Sequence, residues 1–348
     1  MTTRLIRFGV LVLSAIVIAG IAAEGSAEDF YQGKTIRFIV SSPPGGGYDL
    51  YSRLLARHLP KHIPGNPRII VQNMPGGAHL IATRYVYSVA PRNGTVIASL
   101  SRSIPDQELF NGPAKAGFKA TNFNWLGSIT EEVQGCVVRG DLSIDTFDDL
   151  KTSKKTLAMG GQARGIEPSD YGRLVREVFG ANLRVVDGYT GTGPRRLALE
   201  QKELDGVCGW SWSSLKGTSQ HWLDSGFVKV IAQLGIHAHP EMTKLGAPLL
   251  IDMAPDEESK RIMEVLFSRL AIGRPILTTP GVPKERVALL RKAFMDTMKD
   301  PEFLKEAHLL KLEVNPLNGE QVEELLERVS NYPPEVLTRV RQIVFESK

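Results

Sequence analysis

Several things are scarce in this chain of 348 residues, and each scarcity removes a class of function. Cysteine occurs only at Cys136 and Cys208, too few for a cysteine zinc site or a disulfide-dense scaffold. Basic residues outnumber acidic ones by only 42 to 38, a net +4, which gives no footprint for nucleic acid. Beyond residue 27 no apolar run is long enough to cross a bilayer. The turn "PPGGGYD" lacks both the Gly-Lys-Ser/Thr ending of a P-loop and the spacing of a dinucleotide fold. His58 and His62 stand at i, i+4 without the glutamate of a zinc-protease helix. No cofactor and no resident metal are expected.

What remains is ordinary globular material, 42% apolar and 23% charged. The first residues stand apart. Arg4 and Arg7 precede an apolar stretch from Phe8 to about Ala23, which closes on Gly25-Ser26-Ala27. This is the layout of a secretory signal peptide over 1–27, cut after Ala27. Its loss would remove Arg4, Arg7 and Glu24 and leave a charge of about +3. Export permits a Cys136–Cys208 disulfide; two buried free thiols are the alternative.

The mature chain alternates strands and helices. "KTIRFIVSS" (34–42), "PRIIVQNM" (67–74) and "GTVIASLSR" (94–102) read as buried strands separated by amphipathic helices. Residues 103–127 look irregular. From "QGCVVRG" to "VKVIAQLG" the same rhythm returns, which predicts a second α/β domain. "DGVCGWSWSS" reads as strand and loop, with Trp210 and Trp212 alternating. Charged helices are predicted at 284–299, 301–310, 319–330 and 334–346.

Two turns share one construction. Gly45-Gly46-Gly47 before Asp49, and Gly191-Thr192-Gly193 before Pro194, each join a buried strand to a helix start. Helix starts leave N–H groups without partners and carry partial positive charge, and glycine lets an anion approach them. One such turn per α/β domain suggests a cleft in which both face one acid.

The segments "KTIRFIVSSPPGGGYDLYSRLLARHL", "IIVQNMPGGAHLIATRYVYSVAPRNGTVIAS", "VVDGYTGTGPRRLALEQKELDG" and "GVPKERVALLRKAFMDTMKDPEFLKEA" resemble, in order, the substrate-binding proteins of tripartite tricarboxylate transporters, the Bug or TctC-like family. The resemblance implies an α/β, two-lobed periplasmic binding protein, a Venus flytrap with a mainly parallel sheet in each lobe. It places lobe 1 at 29–129 plus 255–348 and lobe 2 at 130–254. It implies a monomeric periplasmic protein that carries a small organic carboxylate to a two-component membrane permease. The implied ligand shell is Gly45, Gly46, Gly47, Tyr48 and Asp49 on one lobe and Gly191, Thr192 and Gly193 on the other. Ser101, Arg102, Gly160, Gly161, Trp210 and Ser211 occupy further strand ends, with Arg102 as the direct charge partner. Many relatives carry an aspartate where this chain reads "GVCGWSWSS", and its absence disfavours an ammonium-bearing ligand.

Three other readings compete. Such a protein can serve a signalling partner instead of a permease. Gly209-Trp210-Ser211-Trp212-Ser213 approaches a nucleophile elbow, which would make Ser211 and His308 parts of a secreted hydrolase. His237 and His239 alternate as metal ligands do, without a third ligand nearby in sequence.

Overall fold

The computed structural model describes residues 30–347; the expected signal peptide lies outside them. Among the described residues, eleven strands form two sheets. In the first, β1 (Thr35–Val40), β2 (Arg68–Asn73), β3 (Val96–Ser99), β4 (Asn124–Ser128), β10 (Pro275–Thr278) and β11 (Leu317–Asn318) take the order β11-β4-β10-β3-β1-β2. In the second, β5 (Gln134–Arg139), β6 (Leu157–Gly160), β7 (Leu183–Val186), β8 (Gly206–Ser211) and β9 (Val228–Leu234) take the order β7-β6-β8-β5-β9. Helices flank both sheets, giving a two-lobed α/β fold.

Burial explains the strand order. β1 is central, with Phe38, Ile39 and Val40 fully buried, and it pairs in parallel with β2 and β3. β2 alternates between exposed and half-buried residues, as an edge strand with one wet face does. Both sheets are mixed: in the first, β10 runs antiparallel to its neighbours β3 and β4, and β11 antiparallel to β4; in the second, β5 runs antiparallel to β8 and β9. These antiparallel pairings involve strands next to the chain's crossings between sheets, where no helical crossover imposes a parallel return. Cys136 and Cys208, opposite each other on β5 and β8, are joined as a disulfide.

The chain crosses from β4 to β5 and returns just before β10. The crossings lie side by side: Ile129 N–H donates to Arg274 O at 3.0 Å and Glu132 N–H to Leu270 O at 2.9 Å. This brings Glu132 and Arg274 to the floor between the lobes.

Three helices depart from the expected pattern. Ile104–Asn111 forms in the stretch read as irregular. Trp212–Asp224 begins one residue after β8, so Trp212 is helical and does not alternate with Trp210 along a strand. Glu257–Ser268 is started by Asp256, whose carboxylate accepts from Ser259 N–H at 2.7 Å. The expected grouping of 255–348 with the first sheet fails for this helix and for the tail. Ile262, Leu266 and Phe267, with Val336, Val340, Ile343 and Val344, pack into the apolar cluster of Cys136, Val138 and Leu174 on the second sheet. No helix among the described residues is long and apolar enough to cross a membrane.

Candidate functional site: an inter-lobe cleft

The first glycine turn follows β1. Gly45 adopts a left-handed φ of 81°, and Gly46 leads into the helix Gly47–His58. The second leads through Gly191 into the helix Thr192–Glu200. No side chain caps either helix start. The turns meet: a methyl group at Gly46 would lie 3.5 Å from Thr192 Oγ1, and one at Gly191 would lie 3.3 Å from Pro43 Cδ. Together they border a cavity of about 730 Å³, open mouth included.

Three arginines line the cavity, in different electrical states. Arg102 is buried, with Nε 2.6 Å from Glu167 Oε1, Nη1 donating to Gly273 O at 2.9 Å and Nη2 to Ser211 Oγ at 2.9 Å. Burial alone would raise the Glu167 carboxyl, but Arg102 and Arg269 outweigh it and hold it below the ordinary range. Arg274 lies 2.7 Å from Glu132, donates to Ser213 and Ser214, and sits against the rings of Tyr48 and Tyr51. Both of these charges are matched within the protein.

Arg195 differs. Among the described residues no carboxylate lies within 4.0 Å of it. Its Nη1 donates to Tyr189 O at 3.3 Å, and its buried Nε has no hydrogen-bond partner. Burial pushes its pKa down to about 10, with the negative charge of Glu167 acting the other way. Arg195 therefore remains a cation at neutral pH and leaves one positive charge in the cleft unmatched.

His79 closes one wall. Nδ1 lies 2.9 Å from Ser41 O, so it carries the proton, and Nε2 accepts from the Gln162 amide of the other lobe at 3.1 Å. Burial pushes its pKa down to about 4 and keeps it neutral. Ala78 and His79 hold φ of 54° and 70°, a left-handed turn that side chains disfavour.

A serine hydrolase needs a base beside its nucleophile. Ser211 Oγ instead accepts from Arg102 and Gln134, and His308 lines a separate depression beside Trp212. Among the described residues, two clusters have metal-like donors, and a lysine bridges the carboxylates of each. Lys61 bridges Asp300 and Glu302 near His58, and Lys216 bridges Glu241 and Glu313 near His239.

No protein-family model matches the chain. It is 25% identical over 299 residues to the UPF0065 protein of the TAR-I ttuE-ttuC' intergenic region of Agrobacterium vitis, covering 85% of this chain and 79% of that one. It is 27% identical over 267 residues to protein BugT of Bordetella pertussis, covering 72% and 79%. The structure of the periplasmic binding protein BugD superposes with a TM-score of 0.71 at 20% identity, covering 90% of this chain and 98% of that one. MatC of Rhodopseudomonas palustris, solved with bound malate, gives 0.66 at 16% identity, covering 89% and 99%. In sequence and in fold the chain is similar to the Bug/TctC-like solute-binding proteins.

For this Bug/TctC-like chain the expected ligand shell divides. Gly46, Gly47, Tyr48, Ser101, Arg102, Gly191, Thr192, Gly193, Trp210 and Ser211 line the cavity. Gly45, Asp49, Gly160 and Gly161 do not. The Asp49 carboxylate is consumed by Gly45 N–H, Arg53 and Asn73 at 2.9–3.0 Å. Burial would raise its pKa, but these bonds hold it low. Gly160 faces Leu204 and Val207 in the lobe interior, and Gly161 faces Asp187 and Ser169. Arg102 lines the cleft but is already paired with Glu167, whereas Arg195 is not paired with a carboxylate. Trp210 reaches the cleft while its ring packs on Trp222 at 5.5 Å; Trp212 turns away and donates to Glu241 at 2.8 Å. His79, Gln134, Gln162, Glu167, Arg195 and Arg274 complete the lining. For Arg195 the sequence held one signal, its place in the first turn of a helix that follows glycines.

Proposed function

We propose that the protein is a periplasmic solute-binding protein that captures a small organic carboxylate between its lobes and delivers it to a two-component permease. The observation that carries this reading is the unmatched Arg195 cation in a cavity bordered by two uncapped helix starts, one from each lobe. A carboxylate meets both the charge and the unpartnered N–H groups. Kinship supports the transport role, and MatC, of the same fold, holds malate.

Charge-assisted hydrogen bonds contribute roughly 1.5–3 kcal/mol each. Several of them, less desolvation and ordering, correspond to a dissociation constant near micromolar, about −8 kcal/mol. A thermal-shift screen of organic acids tests the reading, because a ligand bound only by the folded state raises the melting temperature. Calorimetry on Gly46→Val locates the site. Gly46 has an ordinary φ of −96° and only Thr192 nearby, so valine intrudes on the cavity more than on the core. Affinity should fall at least about tenfold, roughly 1.4 kcal/mol, with little change in melting temperature. Unchanged affinity would place the ligand elsewhere.

A further inference from the structure

Among the described residues, ten buried side-chain polar atoms lack a hydrogen-bond partner, and six of them belong to residues lining this one cavity: Ser42 Oγ, Gln134 Oε1, Glu167 Oε2, Arg195 Nε, Trp210 Nε1 and Arg274 Nε. Buried polar atoms are nearly always satisfied in folded proteins, so a concentration in one cleft describes the complement of what binds there.

The Arg274 guanidinium carbon lies 5.0 Å from the Tyr48 ring and 5.1 Å from the Tyr51 ring, so that group is engaged by aromatic faces. Three of the others, Arg195 Nε, Glu167 Oε2 and Gln134 Oε1, have opposite characters at two places. Arg195 supplies the donor end. Its Nη1 is spent on Tyr189 O, which leaves Nε and Nη2, the two N–H groups along one edge of the guanidinium plane, without a protein acceptor. That edge is the fork that takes both oxygens of a carboxylate. Gln134 Oε1, together with Glu167 Oε2, which lies 3.9 Å from Arg269 Nε without a hydrogen bond, supplies the acceptor end. They hang from one network: Glu167 Oε1 is held by Arg102, Arg102 donates to Ser211 Oγ, and Gln134 Nε2 donates to the same Oγ at 3.3 Å.

An acceptor pair asks the ligand for a hydrogen-bond donor. An ammonium would fit poorly, because the Glu167 charge is already matched by Arg102 at 2.6 Å and an added cation would face Arg102 and Arg195 together. A hydroxyl donates without adding charge.

We infer that the protein selects hydroxy acids, with Arg195 gripping a carboxylate along its Nε–Nη2 edge and Glu167 Oε2 with Gln134 Oε1 accepting from the ligand's hydroxyl. This rests on the solute-capture reading above and adds to it the ligand's second functional group.

The test uses matched probes on the full mature chain: malate, succinate and aspartate, then mandelate, phenylacetate and phenylglycine, each measured by calorimetry. In at least one series the hydroxy acid binds about tenfold or more tighter than its deoxy partner, the size expected for a hydrogen bond to a charged acceptor, and the amino acid binds weakest. Arg195→Gln weakens every acid about tenfold or more. Gln134→Leu, which touches no ion pair, narrows the gap between hydroxy and deoxy acids while the melting temperature shows the variant folded. Deoxy acids binding as tightly as hydroxy acids, amino acids binding best, or an Arg195→Gln protein with unaltered affinity would each overturn the inference and leave acid capture standing. A folded wild-type protein that binds no acid of either series at about 10 mM, far above the micromolar range expected, overturns both.

Discussion

The two glycine turns are built alike and end in opposite electrical states. In the first, Asp49 lies within the opening turn of its helix, and its charge is absorbed by Gly45 N–H, Arg53 and Asn73. Gly47 is packed so closely that a methyl group would meet Ser214 Oγ and lie 2.7 Å from Arg274 Nη2. In the second, the opening turn holds no acid, Gly193 has open space around it, and Arg195 carries a free edge. The first turn borders the cleft with its charge offset by its own acid, and the second is where unmatched positive charge reaches the cleft. A glycine-rich helix start is therefore only half of an anion site; the acid or base placed in its first turn decides whether the field reaches a ligand.

The largest way to break this contrast lies beside the first turn. Glu132→Gln leaves the Arg274 guanidinium buried without its partner, with both side chains 2% exposed or less. Urea unfolding should show a loss of about 3–5 kcal/mol. A loss below about 1 kcal/mol would mean that Ser213, Ser214 and the tyrosine rings suffice to hold Arg274.

A paired substitution sharpens the contrast at intermediate cost. Gly47→Ala overpacks the first turn and should cost about 1–3 kcal/mol. Gly193→Ala, with nothing within 4 Å of the added methyl group, should stay within about 0.5 kcal/mol of wild type. Equal effects in thermal unfolding would erase the distinction.

The smallest effect lies outside the cleft, where Glu313 meets Lys216 at 2.7 Å and His239 at 3.1 Å. Burial would raise the Glu313 pKa, but hydrogen bonds from His239 and Lys216 hold it at about 2 against an ordinary 4.5. A folded-state pKa below the unfolded one gives stability that is present above pH 4.5 and lost as pH falls toward 2. Partial exposure limits it to about 1 kcal/mol or less. Wild type minus Glu313→Gln should show that difference at pH 6 and lose it progressively in acid. A gap that widens in acid would reverse the assignment.

Much of the fold was legible because period and punctuation carry it. β1, β2, β3 and the helices Lys284–Thr297, Pro301–Leu309 and Gly319–Ser330 lie where the apolar pattern puts them. The partner sheet of the tail was not, since an amphipathic face states that it will be buried but not against what. Trp210 and Trp212 misled because two alternating residues are too short a sample to separate a strand's end from a helix's beginning. In the site the turns were visible and the charge was not. Arg195 and Arg196 are adjacent and chemically identical; one lines the cleft, while the other donates to Thr218 O at 3.4 Å. Glu167, Gln134 and Arg274 come from separate segments and acquire meaning only through the atoms left over once their partners are counted.

The tail's packing bears on the order of events during synthesis. Translation emits the second sheet's strands long before Val336, Val340, Ile343 and Val344, yet these residues complete that sheet's apolar cluster. A nascent chain that has made every strand of the second lobe still lacks part of its interior, so that lobe cannot finish folding until the last helix is free.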